Sequence, residues 1–183
     1  AVRLTWACML ATTISASLAQ AAPIVPSGLT PGAKYHLIFA TSTRHQGDFG
    51  NGSYAPGGNL PGVLAGDFIV NSTTVGGNQP GAWTATASYK AILSDSTRDA
   101  ITLVTDSSPV YNVQGQLVAH TYASMFQGSS TSLVNAVRYD EFGNSVTFGA
   151  WTGTTSTGFD NGLTGADWTG GAGPLTRGAP LTG

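Results

Sequence analysis

After residue 22, glycine, proline, asparagine or serine interrupts every apolar run of this chain within a few residues. That punctuation leaves room for short strands and short helices joined by long loops. Tyr35–Ala40 is a compact apolar run that predicts a buried strand. Arg44 to Gly62 shows no period and predicts a long loop. Val63 to Thr74 predicts a short helix, although Val, Ile and Thr are weak helix formers. A second loop, Gly76–Gly81, follows. Tyr89–Leu93 predicts a strand, and Ser94-Asp95-Ser96 offers an N-cap to a helix over Arg98–Thr105. Pro109–Val113 and Gln116–Val118 around Gln114-Gly115 predict a hairpin. Tyr122–Phe126 predicts one helical turn stopped at Gly128. Val137–Tyr139 and Ser145–Phe148 flank a turn at Asp140–Asn144. With no repeat and no heptad, these pieces make an α+β domain.

Residues 1–21 read differently. Arg3 is the only charge there, an apolar stretch runs from Leu4 to Leu18, and Ala19-Gln20-Ala21 has the small-x-small form of a cleavage site. The expectation is a secretory signal peptide; Thr12, Thr13, Ser15 and Ser17 argue against a membrane span. Cleavage near Ala22 would remove Cys8, the sole cysteine, and leave an exported chain without thiols. Export without disulfides points to a bacterial source rather than a eukaryotic one. Residues 22–34, with Pro23, Pro26 and Pro31, predict a linker.

Charge narrows the partners. Only 9% of the 183 residues are charged, against about a quarter in an average domain, and the net charge is -2. Nucleic acid finds no electrostatic footing on such a chain, and the membrane enters only through the cleaved leader. An apolar content of 41% excludes a disordered chain.

The order of the pieces carries a resemblance. Tyr35-His36-Leu37-Ile38 is followed by Gly66-Asp67-Phe68, Tyr89-Lys90-Ala91-Ile92-Leu93-Ser94 and Pro109-Val110-Tyr111-Asn112. Then come Met125-Phe126-Gln127-Gly128, Tyr139-Asp140-Glu141-Phe142-Gly143, Ala150-Trp151-Thr152-Gly153 and Asp167-Trp168. Over 35–168 the chain resembles the endostatin domain of collagens XV and XVIII and bacterial secreted domains similar to it. The resemblance implies a C-type-lectin-like fold and an extracellular binding or adhesion role.

The departures are coherent. Cysteines usual in such domains near Val70 and near Gly165 or Ala166 are gone, and so is the closing segment that would hold their partners. Without staples worth roughly 2–4 kcal/mol each, the core must hold the domain. The expected core is Leu37, Phe39, Phe68, Ile92, Leu93, Val110, Val113, Phe126, Phe148, Trp151 and Trp168. The fold implied would end in a strand beside Tyr35–Ala40. Residues 169–183, a Gly/Pro-rich tail, cannot supply it, so a fragment lacking that strand is expected.

The chemistry-bearing residues point away from catalysis. The resemblance implies a zinc site with a first-strand histidine, which His36 matches. The N-terminal histidines have no counterpart, and the aspartate position falls on Gly115. A histidine satisfied by neighbouring backbone is therefore expected, with no metal and no cofactor. Gln79-Pro80-Gly81 lacks the carboxylate of a calcium lectin loop, and Arg44, Arg98, Arg138 and Arg177 are too scattered for heparin. Asp48, Asp140-Glu141 and Asp160-Asn161 read as solvated turns. No nucleophile elbow is present. Exposed aromatics beside hydroxyl-rich loops remain, and the candidate ligand-binding residues are Trp83, Tyr89 and Phe159. The expectation is a secreted, non-enzymatic module that binds an extracellular protein or glycan. A calcium-independent carbohydrate-binding module is the first alternative. A small hydrolase built on Asp140 and Glu141 is the second.

Overall fold

The computed structural model describes residues 26–43, 60, 62–75, 88–128, 133–147 and 152–168. The expected leader 1–21, the tail 169–183, Trp83, Phe148 and Trp151 lie outside the described residues. What is described is α+β. A three-stranded mixed sheet has the order β1-β2-β3, with β1 His36–Ile38, β2 Val110–Asn112 and β3 Leu117–Ala119. Strand β1 runs parallel to β2 with His36 opposite Val110, and β2 runs antiparallel to β3. Two helices complete the set, α1 over Gly62–Val75 and the single turn α2 over Gly165–Trp168. Short 3-10 turns lie at Ala100–Leu103 and Ala123–Phe126. No helix among the described residues is long and apolar enough to cross a membrane.

Strand alternation decides which residues of β1 enter the core. Ile38 is buried, with Val110, Val118, Ala119, Ala100, Tyr122, Met125, Phe126 and Leu133. Leu37 points the other way and is only half-buried, contrary to expectation. Phe39, Phe68 and Ile92 are likewise half-buried, whereas Leu93, Val110, Val113, Phe126 and Trp168 are buried as expected. A second cluster, Val63, Ala65, Ile69, Ala91, Leu93 and Trp168, lies under α1. The expected linker is described from Pro26 onwards; that ring is fully buried, and turns follow at Pro26–Leu29 and Thr30–Ala33.

The segment Ala91–Ala100 joins the two clusters. The strand predicted over Tyr89–Leu93 does not form, because the backbone groups of Tyr89 and Ala91 are bonded to side chains rather than to a neighbouring strand. Asn71 Oδ1 accepts from Tyr89 N–H at 3.0 Å, and Asp67 Oδ1 accepts from Ala91 N–H at 2.8 Å. The Arg98 guanidinium donates to both Asp67 oxygens, at 2.7 and 3.1 Å, and to the Ala91 carbonyl. Ser94 then passes a chain of hydrogen bonds across the gap. Ala100 N–H donates to Ser94 Oγ at 2.9 Å, and Ser94 Oγ lies 2.8 Å from Thr154 Oγ1. Thr154 Oγ1 donates to the Thr152 carbonyl, and Trp168 Nε1 donates to the Ser94 carbonyl at 3.0 Å.

Asp95 does not cap the predicted helix over Arg98–Thr105. Its Oδ1 takes the Thr97 and Arg98 N–H groups as a tight turn, while Oδ2 accepts from Val63 N–H and caps α1 from 32 residues away. The helix that was expected there shrinks to Ala100–Leu103, followed by extended Val104. The β-branched Ile101, Thr102, Val104 and Thr105 explain the short run.

Asp67 and Arg98 have side chains only 8% and 17% exposed, so loss of Arg98 leaves the buried Asp67 carboxylate with only the half-exposed Lys90 to answer its charge. Arg98→Ala is expected to cost about 3–5 kcal/mol in a urea melt. Gly66→Ala would press a methyl against Leu93 and Ala91, where α1 lies closest to the segment. It is expected to cost about 1–3 kcal/mol by the same measurement.

Candidate functional site

Every described carboxylate is tied into the fold. Besides Asp67 and Asp95, Glu141 accepts from Ser42 N–H and Ser42 Oγ–H at 2.7 and 2.5 Å. Asp140 accepts from Phe142 N–H, Asn144 N–H and Asn144 Nδ2. Asp99 accepts from Asp160 N–H at 2.7 Å, and Asp160 from Gly162 N–H at 3.1 Å. Asp167 takes Ser96 Oγ–H at 2.5 Å and Ser96 N–H at 3.0 Å; the hydroxyl, above all, holds its carboxyl below the ordinary range. Asp140 and Glu141 are 5% and 1% exposed, so this pair is buried rather than the solvated turn expected. Asp-x-x-Gly spacing predicts the turn correctly, but burial of its acids has no signature in the sequence.

His36 is satisfied by a carboxylate instead of the backbone. Its Nε2–H donates to Asp106 Oδ1 at 2.8 Å. Hydrogen bonding to His36, then to Ser108 N–H, lowers the Asp106 carboxyl to about 2. Among the described residues no group of three His, Cys, Asp or Glu side chains converges as metal ligands would.

Tyr89 and Phe159, the described candidates, stand on different parts of the fold. Tyr89 packs edge-on against Phe39, the residue after β1, at 5.5 Å and near Tyr35. Tyr35 in turn meets Tyr111 edge-on at 6.0 Å. Burial, with a smaller push from Tyr35, raises the Tyr89 phenol to about 12. Tyr89 is therefore half a core residue, and Asn71 clamps its backbone through N–H and carbonyl alike.

Phe159 has the opposite character: 50% of it is exposed, while its backbone is closely held. Thr155 N–H donates to the Phe159 carbonyl at 2.8 Å, and Phe159 N–H donates to Thr155 Oγ1 at 3.2 Å. The turn is docked by Ile101 N–H to the Gly158 carbonyl and by Gly128 N–H to the Ser156 carbonyl. Gly158 has φ +87° and lies so close to Ile101 and Phe126 that a Cβ there would stand 2.6 Å from Ile101 Cβ. The ring is thus presented to solvent from a fixed backbone, among the exposed Thr155, Ser156 and Thr157. Phe142, at 41% exposure on the Asp140 turn, is a second aromatic of this kind that the sequence reading did not single out. An aromatic inside an Asp-x-x-Gly turn was the available signal.

No protein-family model matches this chain, and no curated protein matches it either.

The Asp106 carboxyl titrates low in the folded state, so its contribution to stability is complete above the ordinary carboxylate range and is lost as pH falls through about 2. In a carbon-detected NMR titration, His36→Ala is expected to move the Asp106 midpoint up towards about 3.9. The Ser108 N–H bond would keep it from arriving fully.

Proposed function

We propose that this chain is a secreted, non-catalytic binding domain on an endostatin-like, C-type-lectin-like scaffold, which grips an extracellular protein or matrix partner through its loops. The observation that carries the reading is Phe159: a half-exposed ring on a turn whose backbone is already immobilised. Binding through such a ring orders little that was free beforehand, which is the property of an interface anchor. The scaffold part of the reading draws support from what the resemblance residues do. Gly66 lets α1 lie on Leu93, Asp67 answers Arg98, and the Trp168 indole holds the Ser94 carbonyl. The carboxylates serve as tethers, which favours contact over acid–base chemistry as the role of this surface.

Solid-phase binding of the full chain to immobilised fibronectin, laminin and collagen tests the proposal. Phe159→Ala is expected to weaken retention by about tenfold or more with an unchanged melting temperature. Equal retention of the variant, or no retention of the parent chain on any of the three, would overturn it.

A further inference from the structure

We propose a second contact site, for a neutral saccharide, at the corner where the β2–β3 turn meets the Asp140–Gly143 turn. It extends the contact reading without using the Phe159 turn, so either can fail alone. Gln114 Nε2 donates to the Gly143 carbonyl at 2.9 Å and locks the two turns together. Each turn is also braced from within. Asn112 Oδ1 accepts from Gln114 N–H and Gln116 N–H, and Asp140 Oδ1 accepts from Phe142 N–H and Asn144 N–H. The Asp140 turn is fixed to the sheet margin through Ala40 N–H, which donates to the Tyr139 carbonyl at 2.9 Å.

What the two turns themselves offer to solvent is neutral; the exposed Arg138 lies at the base of the second turn, two residues before Asp140. The Phe142 ring is 41% exposed, and Gln114 and Asn144 beside it are exposed too. Both amide nitrogens are engaged inward, Gln114 Nε2 on Gly143 and Asn144 Nδ2 on Asp140 Oδ2. With the nitrogens so engaged, the remaining acceptors on these two exposed side chains are Gln114 Oε1 and Asn144 Oδ1. The acids of the turn, Asp140 and Glu141, are buried, and neither Asn112–Gln116 nor Asp140–Asn144 contains a basic residue.

An exposed aromatic ring on the same pair of turns as two exposed side-chain amides suits a pyranose. The C–H face of the sugar stacks on the ring, and its hydroxyls donate to the amides. An anionic ligand finds no cation in either turn. A metal-dependent mode finds no available carboxylate in either turn, since the two present are buried and bonded inward.

Affinity electrophoresis of the full chain through gels containing laminarin, mannan, dextran or xylan, with heparin as the anionic comparison, tests the site. The expected result is retardation by at least one neutral polymer that persists in high salt and with a chelator. Phe142→Ala should weaken it about tenfold, and Gln114→Ala several-fold. Phe159→Ala should leave it unchanged. No retardation by any neutral polymer would overturn the proposal, as would retardation by heparin alone. So would a folded Phe142→Ala or Gln114→Ala chain that migrates like the parent.

Discussion

Asp67 lies on the buried side of α1, inside a stretch of Val63, Ala65 and Ile69 that belongs to a hydrophobic cluster. A charge there must be answered within the fold. Arg98 answers it bidentately, which fixes the distance and angle between α1 and the segment Ala91–Ala100. Lys90 adds a more exposed contact at 3.1 Å. Beyond the pair, Arg98 acts on Tyr122, whose phenol is raised by burial and partly offset by the guanidinium charge. The Tyr122 hydroxyl donates to the Ala100 carbonyl at 2.8 Å, in the other hydrophobic cluster. The ion pair therefore ties α1 to the segment that runs between the two clusters, and Tyr122 ties that segment to the second of them.

The remaining carboxylates extend this arrangement. Glu141 reaches Ser42 across 99 residues of sequence, Asp167 reaches Ser96 across 71, and Asp99 reaches Asp160 across 61. A hydrogen bond to a charged group is worth roughly 1.5–3 kcal/mol when sheltered, comparable with a single disulfide at roughly 2–4 kcal/mol. Of the three, the Glu141 bracket has a buried carboxylate, whereas the Asp167 bracket is exposed and correspondingly weaker. Long-range carboxylate tethers are a plain physical route to holding a loop-rich fold together without cross-links. They also explain how so few charged residues suffice: each described acid has a structural partner.

Sequence patterning revealed the parts of the fold whose cause is local. The hairpin follows from Asn112, which accepts from the backbone of its own turn, and from Gly115 with φ +75°. Helix α1 matches its expected span to within one residue at either end. Tyr89–Leu93 did not declare itself, because the groups that pair its backbone are the side chains of Asn71, Asp67 and Arg98, distant in sequence or facing the other way in it. The choice of Leu37 over Ile38 for the core failed by one position, and in a three-residue strand that is the whole difference between inside and outside. For the candidate residues, the sequence could name Tyr89 and Phe159 as aromatics near polar loops. It could not show that one ring is packed against Phe39 and the other displayed.

A surface this neutral has consequences for how it can bind. Long-range steering is weak at a net charge of -2, so association should proceed at the modest rates of uncharged partners and respond little to salt. Affinity must then come from low ordering cost at short range. The two exposed phenylalanines among the described residues meet that requirement in the same way. Thr155 ties both backbone groups of Phe159, and Asp140 ties the amide of Phe142, so each ring retains only its own side-chain torsions to be ordered. Leu163 and Val134, although equally exposed, are aliphatic and offer no aromatic face for stacking. Under the proposed binding role, the aromatic rings on braced turns, surrounded by hydroxyls or amides, are therefore the described positions best suited to contact.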